Sequence, residues 1–325
     1  MTTPLALPTG NALTFCGQPF PKLIADAGTD ARRRFIEFFT ANIRNKNTRE
    51  AYARNVAQFC VWCEARQFSL ELLEPVVIAA YVEELCQRLA KPSVKQHLAA
   101  IRMLFDYLVV GHIIPINPAA AVRGPKHVVK RGKTPSLSAE DTRRLLDSID
   151  TSNVTGLRDR ALIAIMVYSC ARVSAVTGMN GQDFYQNGKR FWFRFHEKGG
   201  KFHEVPAHHN AEAYLDAYLQ AAQIASESKC PLFRTAPGKS NRLTAHRLNR
   251  KEALAMIKRR AKAAGLPANI CNHTFRATGI TTFLLNGGTV EKAQTIAGHE
   301  SPKTTKLYDR TSDEITLDEV ERILI

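Results

Sequence analysis

Four stretches near the start of the chain place apolar residues at the helical spacing i, i+3, i+4 and i+7. They read ARRRFIEFFTANI, NTREAYARNVAQFCVWCEA, LEPVVIAAYVEELCQRLA and PSVKQHLAAIRMLFDYLVV. This spacing gives each helix one apolar face, which has to be buried against another element. The short connections predict a small helical bundle over residues 28–121. Residues 1–27, interrupted by proline and glycine, predict a flexible N-terminal arm.

The apolar pattern changes in the second half of the chain. Helices are predicted over SAEDTRRLLDSI, GLRDRALIAIMVYSC, residues 244–265, HTFRATGITTFLLNGG and TVEKAQTIAGH, and a short one begins at Ser301. RFWFRFHEKGGKFHEVP alternates with the period of two that is typical of a strand, and its Gly199-Gly200 pair predicts a β-hairpin. The sequence therefore predicts a mainly α fold with a small β-hairpin or sheet. It combines an N-terminal helical domain with an α+β domain over 137–325, which ends in a tail helix over 313–325.

Residues 122–136 predict a basic interdomain linker between these two domains. The stretch contains proline and glycine, has weak periodicity, and lies in a part of the chain without acidic residues between Asp106 and Glu140. A linker needs only polarity, so a charge of one sign suggests that it runs along a polyanion. Its basic residues are Arg123, Lys126, Lys130, Arg131 and Lys133.

The overall charge supports a nucleic-acid partner. The chain has 45 Lys and Arg against 30 Asp and Glu, a formal net charge of +15, and such a surplus is typical of proteins that bind nucleic acid. Solvated basic surfaces without a partner are the alternative. Besides the linker, the candidate DNA contacts are Lys91 and Lys95 on the fourth helix, and Arg247, Arg250, Lys251 and Arg259 in the later basic stretch.

Several other classes of protein are disfavoured. No apolar run approaches the length of a membrane span, and no basic segment precedes the first apolar residues as in a signal peptide. Seven widely scattered cysteines argue against a disulfide framework and for the cytoplasm. Cys60 and Cys63 form a CxxC inside a helical pattern, with no second pair to complete a zinc site. We therefore expect no metal, no cofactor and no membrane partner.

The candidate chemistry lies in four short stretches of the second half. They are SCARVSAV, the hairpin tip EKGGK, HTFR at the start of a helix, and GHESPKTTKLYDR. A tyrosine that attacks a phosphodiester needs a proton acceptor, fixed cations for the phosphate charge, and a proton donor for the departing oxygen. These stretches offer six candidate residues for this chemistry: Arg172, Lys198, His273, Arg276, His299 and Tyr308.

Taken in order, the motifs ARVSA, EKGGK, HTFR, AGHES and TTKLY resemble the tyrosine recombinase (phage integrase) family of DNA recombinases. The resemblance implies that Tyr308 attacks DNA and forms a 3′-phosphotyrosyl bond, without metal or ATP. It further implies that Arg172 and Arg276 clamp the phosphate, that Lys198 protonates the 5′ oxygen, that His273 is the general base and that His299 donates to the phosphate. Lys201 could replace Lys198.

The resemblance also implies an assembly and leaves alternatives open. It implies a two-domain clamp around a double-stranded recombination site, with four protomers in the synapse and a tail helix that docks on a neighbour or on its own domain. Where the family usually has an acid after R-x-S, this chain has Ala175, and Cys170-Ala171 replaces the usual Gly-Leu, so altered packing is expected around Arg172. A DNA-binding protein without chemistry and a type IB-like topoisomerase are the alternatives. Integration, excision, dimer resolution and transposition by a mobile element stay open, as does the target sequence.

Overall fold

The chain forms two compact units in the computed structural model. The structure describes residues 14–15, 18–129, 132–197, 200–238, 240–309 and 320–321. The units are Met1–Val128 and Val129–Ile325, so the division lies inside the segment predicted as a linker. Both units are mainly helical, and the second contains a small antiparallel sheet, which confirms the predicted fold class.

The first unit is a helical bundle around an aromatic core. Phe59 lies at its centre, in edge-to-face contact with Tyr81 and Phe105, and all three are almost fully buried. Its elements are β1 (Thr14–Phe15), β2 (Gln18–Pro19), α1 (Lys22–Ala25), α2 (Thr29–Glu37), α3 (Lys46–Glu64), α4 (Pro75–Arg88) and α5 (Lys91–Val110).

The flexible arm predicted over residues 1–27 is wrong for its last residues. Lys22–Ala25 forms α1, and Leu23 and Ile24 are buried in the core of the first unit. The backbone N–H of Leu23 donates to Glu64 Oε1 at 3.2 Å. Two adjacent apolar side chains are enough to hold this turn, but they are too few to give a periodic signal in the sequence. Residues 1–13 and 16–17 lie outside the described residues.

The second unit is built around a helix that is buried on nearly all sides. This helix, α7, packs against α9 and α11, and its sequence is apolar on most sides, which is typical of a buried helix. The elements of the unit are α6 (Ala139–Asp147), α7 (Val154–Tyr168), α8 (Val173–Gly178), β3 (Phe184–Asn187), β4 (Arg190–His196), β5 (Phe202–Pro206), α9 (His209–Ala222), α10 (Arg250–Ala263), α11 (Asn272–Leu285), α12 (Val290–Ala297) and α13 (Pro302–Lys306).

The predicted hairpin is part of a three-stranded antiparallel sheet in the order β3-β4-β5. Phe193 of β4 lies opposite Val205 of β5 on one side and Phe184 of β3 on the other. Phe193 and Phe195 are buried, which places every second residue of β4 on the core side of the sheet. The short strand β3 was missed, because four residues are too few to show a period of two.

The helix predicted over residues 244–265 starts later than the sequence indicated. It begins at Arg250, and the side chain of Asn249 accepts hydrogen bonds from the N–H groups of Lys251 and Glu252. Glu252 in turn accepts from the N–H of Asn249 at 2.9 Å, which completes a capping box. Arg247 is therefore part of the preceding loop rather than of the helix.

The structure describes only two residues of the predicted tail helix, and it can be examined for helices long enough to span a membrane. The tail helix predicted over 313–325 lies outside the described residues, apart from Val320 and Glu321. Of the helices that the structure describes, none combines the length and the apolar content needed to cross a bilayer.

Gly279 allows α7 and α11 to approach each other closely. A Cβ atom at this position would lie 2.2 Å from the carbonyl oxygen of Val167 and 2.7 Å from Cys170 Sγ. Neither atom can give way easily, because one is backbone and the other belongs to a buried residue. Cys170 also has a φ of 53°, a conformation that glycine favours. The buried thiol therefore fits only because α11 has a glycine beside it.

We expect Gly279→Ala to destabilise the second unit. Overpacking against backbone should lower the free energy of unfolding by about 1–3 kcal/mol, even though alanine is the better helix former. Thermal denaturation followed by circular dichroism measures the change. Gly178→Ala in α8 is the matched control, because a Cβ there meets nothing within 4 Å. Equal melting temperatures for the two variants would contradict the packing argument.

Candidate active site

The side chain of Arg276 lies at the centre of the candidate site and is only 2% exposed. Its Nε donates to His299 Nε2 at 3.2 Å, Nη2 donates to the carbonyl of Ala297 at 2.7 Å, and Nη1 donates to the carbonyl of Cys170. The guanidinium thus joins α11, the end of α12 and the turn after α7. These three segments carry most of the candidate residues.

His299 is held as a neutral imidazole by two partners. Arginine can only donate, so Nε2 has to accept from Arg276 and cannot carry a proton. Nδ1 then carries the hydrogen and donates to Thr305 Oγ1, 2.8 Å away. Burial, followed by the charges of Arg276 and Arg172, lowers the pKa of His299 to about 3. At neutral pH this ring therefore has no hydrogen on the nitrogen that faces Arg276.

The ring of Tyr308 stacks on His299, with the ring centroids 5.8 Å apart and the planes 10° from parallel. α13 begins where the sequence predicted, with Ser301 as its N-cap and Pro302 next. It ends at Lys306, so Tyr308 lies in the turn that follows rather than in the helix itself. Its phenol ring also contacts the small cluster of buried apolar residues between α11 and α12.

The backbone on both sides of the tyrosine is fixed by hydrogen bonds. Thr281 Oγ1 donates to the carbonyl of Tyr308 at 2.9 Å. The N–H of Gly132, near the start of the second unit, donates to the carbonyl of Leu307 at 2.9 Å. These contacts limit how far the tyrosine segment can move without breaking a bond.

Arg172 is the N-cap residue of α8, and its side chain is 39% exposed. Its Nη1 donates to Glu197 Oε2 at 2.7 Å. Glu197 directly follows β4 and has only 13% of its side chain exposed. The pair links the turn that carries Arg172 to the hairpin. Arg172 is the more open of the two arginines and has donors left for a ligand.

His273 lies in the first turn of α11, on the surface. Partial burial, then the positive charges of Arg276 and Arg172, lower its pKa. A lowered pKa keeps the imidazole unprotonated at neutral pH, so that it can accept a proton. Arg172 and Arg276 both lower the pKa of His273 and of His299, Arg276 donates to His299, and Tyr308 stacks on His299, so the structure brings these five residues together.

The two hairpin lysines differ in what the structure shows. Lys198 lies outside the described residues. Lys201 Nζ is 2.9 Å from Glu300 Oε1, and both side chains are largely exposed. The hairpin is closed by the N–H of Glu197, which donates to the carbonyl of Lys201 at 2.8 Å. The choice of Lys198 as the proton donor stays a prediction.

The predicted DNA contacts fall into three groups. Lys91, Lys95, Arg123, Lys126, Lys133, Arg250, Lys251 and Arg259 are exposed. Lys130 and Arg131 lie outside the described residues. Arg247 uses its guanidinium within the protein, where Nη1 donates to the carbonyls of Thr177 and Met179 at 2.8 Å and Nη2 donates to the side chain of Asn180.

Sequence reasoning missed three residues that support the site. Glu197 pairs with Arg172, Thr305 accepts from His299, and Thr281 holds the carbonyl of Tyr308. A signal existed for two of them, because Glu197 directly precedes the hairpin lysine and Thr305 belongs to the TTKLY motif. In the part of the chain that the structure describes, there is no group of three or more His, Cys, Asp or Glu side chains that could hold a metal ion.

Comparison with known proteins identifies the family. Residues 135–314 match the Phage integrase family, and residues 32–113 match the Phage integrase N-terminal SAM-like domain. Tyrosine recombinase XerC of Chlamydia muridarum is 32% identical over 252 residues, which cover 76% of this chain and 76% of that protein. Tyrosine recombinase XerC of Thermodesulfovibrio yellowstonii is 28% identical over 266 residues, or 81% of this chain and 85% of that protein. The chain therefore belongs to the phage integrase family.

Solved structures show the same fold. XerH site-specific recombinase bound to difH substrate has a TM-score of 0.66 and 18% identity, and the match covers 93% of this chain and 95% of that one. A lambda integrase dimer bound to a COC′ core site has a TM-score of 0.65 and 17% identity, over 88% and 80% of the two chains. The family membership makes the chain an enzyme, a tyrosine-type site-specific recombinase, as its motifs predicted.

We expect acid to remove the stability that His299 contributes. Its pKa is about 3 in the folded chain against 6.5 for the ordinary group, so only the unfolded state gains a proton between these values. Stability is full above about pH 6.5 and falls as the pH drops, by at most about 1.4 kcal/mol per pH unit.

His299→Gln is the matched comparison for this prediction, because its amide oxygen can still accept from Arg276 but does not titrate. Urea unfolding at pH 7, 6 and 5 should show the wild type losing its advantage over this variant as the pH falls. A constant difference between the two proteins across this range would contradict the neutral imidazole.

Proposed function

We propose that Tyr308 is the nucleophile that cuts one strand of duplex DNA. Its phenol oxygen bonds to the scissile phosphorus, the bond from phosphorus to the 5′ oxygen breaks, and the products are a 3′-phosphotyrosyl ester and a 5′-hydroxyl. A 5′-hydroxyl from another strand reverses the step and joins the new partners. The observation that carries this proposal is the stacking of the phenol ring on His299, which itself contacts the buried guanidinium of Arg276.

The proton balance of the step needs one acceptor and one donor. His273 accepts the phenolic proton, supported by its lowered pKa and by its position beside both arginines. The departing 5′ oxygen receives a proton from the hairpin, where Lys198 follows Glu197 in the sequence. This assignment agrees with the roles that the family motifs imply.

The two arginines act on the phosphate in different ways. Arg172 is half-exposed and meets a non-bridging oxygen directly with the donors that Glu197 does not use. Arg276 is buried, and each of its three guanidinium nitrogens donates one hydrogen bond to a group within the protein. It reaches the phosphate with a second hydrogen of a terminal nitrogen, and its charge stabilises the transition state at short range.

His299 takes a different role from the one that its motif implied. Donation to a phosphate oxygen would require a hydrogen on Nε2, but this nitrogen accepts from Arg276. We assign His299 to the support of Arg276 and of the Tyr308 ring. The assignment predicts that a side chain with an acceptor at this position preserves more activity than one with only a donor.

The partner of this site is double-stranded DNA. XerH and lambda integrase, which share the fold, were solved with their DNA sites, and lambda integrase also as a tetramer on a Holliday junction. Exposed cations on both units, including Lys95, Lys126 and Arg259, supply the phosphate contacts. The first unit binds DNA, the second unit binds and cuts it, and four copies act together on two sites.

We expect Tyr308→Phe to abolish covalent capture of DNA. The protein is incubated with sheared, nicked host DNA and denatured, and the DNA that stays attached to protein is sequenced. A nicked duplex built from the captured sequence, the mapped duplex, then serves in quantitative assays. Tyr308→Phe lacks only the attacking oxygen, so it should bind the mapped duplex as the wild type does and form no adduct.

Arg172→Ala separates chemistry from binding on the same duplex. It should lower the rate of adduct formation by at least about 100-fold, while DNA affinity changes little because many other phosphate contacts remain. Binding without any adduct would favour a DNA-binding protein without chemistry. Adducts that relax supercoils but never exchange strands would favour a topoisomerase.

The C-terminal segment also supports an assembly of several copies, and we assign it to a neighbouring protomer. A groove of about 790 Å³ lies between α6, α7 and α11, lined by Arg143, Tyr168, His208 and Phe283 among others. The segment 313–325 is acidic and carries five apolar residues at helical spacing. Val320, one of these, is 49% exposed in the single chain, so about half of its surface is open to a neighbouring copy. The apolar residues of the segment thus suit the part of this groove that Tyr168 and Phe283 line in a second copy.

We expect a chain that ends at Ser312 to bind one DNA site normally but to assemble poorly. The truncation removes the exchanged segment and leaves the site residues in place. Titration of the mapped duplex, followed by native gel electrophoresis, should show that binding of the second copy weakens at least tenfold, since several buried apolar side chains are lost. Unchanged cooperativity would show that the segment docks on its own domain.

A further inference from the structure

Glu197 joins the two parts of the proposed site that lie on different elements. Its carboxylate accepts from Arg172 Nη1 at 2.7 Å, while its backbone N–H closes the hairpin on the carbonyl of Lys201. The residue that follows it is Lys198, the proposed proton donor. If the hairpin moved relative to α8, either the contact between Glu197 and Arg172 would break or the Arg172 side chain would move with the hairpin.

The second oxygen of the same carboxylate is buried in an unusual way. Oε1 is shielded from solvent and has no hydrogen-bond partner among the residues that the structure describes. A buried acceptor without a partner lowers the stability of the fold, and an ion pair with a half-exposed arginine adds little stability to offset this cost. Folding alone would thus be served at least as well by an apolar side chain of similar size. The presence of a carboxylate at this position therefore points to a role in function rather than in stability.

We propose that Glu197 is a positioning residue for strand cleavage: it holds the Arg172 guanidinium in the orientation that meets the scissile phosphate and ties it to the hairpin that carries Lys198. The inference rests on the proposed function of this site. Among the residues that the structure describes, Arg172 is paired through Nη1 alone, which leaves Nε and Nη2 for the phosphate. A long side chain held in place before the substrate arrives loses less conformational freedom on binding.

An opposite role is conceivable for the same contact, in which the carboxylate occupies the place of the phosphate and is displaced by DNA. The burial argues against it. Only 13% of the Glu197 side chain is exposed, and Oε1 points into the protein, whereas a carboxylate that imitates a bound phosphate should lie on the open side of Arg172. Arg172, with 39% exposure, keeps that open side for the ligand.

The test compares Glu197→Gln and Glu197→Met on the mapped duplex, with protein in excess. Glutamine keeps the shape and an acceptor for Arg172, so adduct formation should slow by about tenfold. Methionine keeps only the volume, so the loss should reach at least about 100-fold. The dissociation constant for the duplex should stay within about threefold, because phosphate contacts elsewhere dominate binding. The melting temperature should stay equal or rise.

Glu204 provides the matched control in the same hairpin. It accepts from Arg194 Nε at 2.8 Å, on the exposed surface, and the same two substitutions there should leave the cleavage rate unchanged. Equal rates in wild type and both Glu197 variants would overturn the proposal, and faster cleavage would establish the opposite role. A rate that falls only together with the melting temperature of Glu197→Gln would also overturn it. If the wild type forms no adduct that depends on Tyr308, the proposed function itself fails.

Discussion

The rest of the site depends on one buried guanidinium, that of Arg276. A charge removed from water is costly unless acceptors surround it, and here two carbonyls and one imidazole nitrogen do so. The acceptors come from two segments, so satisfying this single group fixes both the turn after α7, through Cys170, and the end of α12, through Ala297 and His299. The tyrosine ring then stacks on the imidazole that the guanidinium has oriented. The positive charge has a second effect, because it helps to keep both histidines neutral.

Elements with a long and regular pattern could be predicted from the sequence, and short ones could not. The helices α3, α4, α5 and α7 have several turns of apolar periodicity, and each appears where it was expected. The strand β3 has four residues, and α1 holds only two buried ones, so neither rises above chance in a sequence. The start of α10 was missed because Leu248 and nearby polar residues continue the helical pattern, whereas the capping box of Asn249 decides the boundary.

In the candidate site, the residues that carry the chemistry could be predicted from the sequence, and the residues that position them could not. Residues that a reaction requires, such as the nucleophile and the cations, can be recognised by their type and order. Their partners cannot, because Glu197 and Arg172 are 25 positions apart and any carboxylate could have filled the role. Net charge has a similar limit. Arg260, in the basic stretch of α10, donates to the fully buried Asp159 at 2.8 Å. Arg247 donates to backbone carbonyls at the end of α8, so part of the positive surplus stabilises the fold.

The hydrogen bond between Gly132 and Leu307 bears on how this recombinase can be engineered. A Cβ at residue 132 would lie 2.5 Å from the carbonyl oxygen of Leu307, so another amino acid would push against the segment that presents the nucleophile. A chimera of two family members would join the first unit of one chain to the second unit of the other. For this chain the junction should lie before Gly132. A junction after it would replace Gly132 by a residue of the other chain and would change the contact that holds the segment of Tyr308 in place.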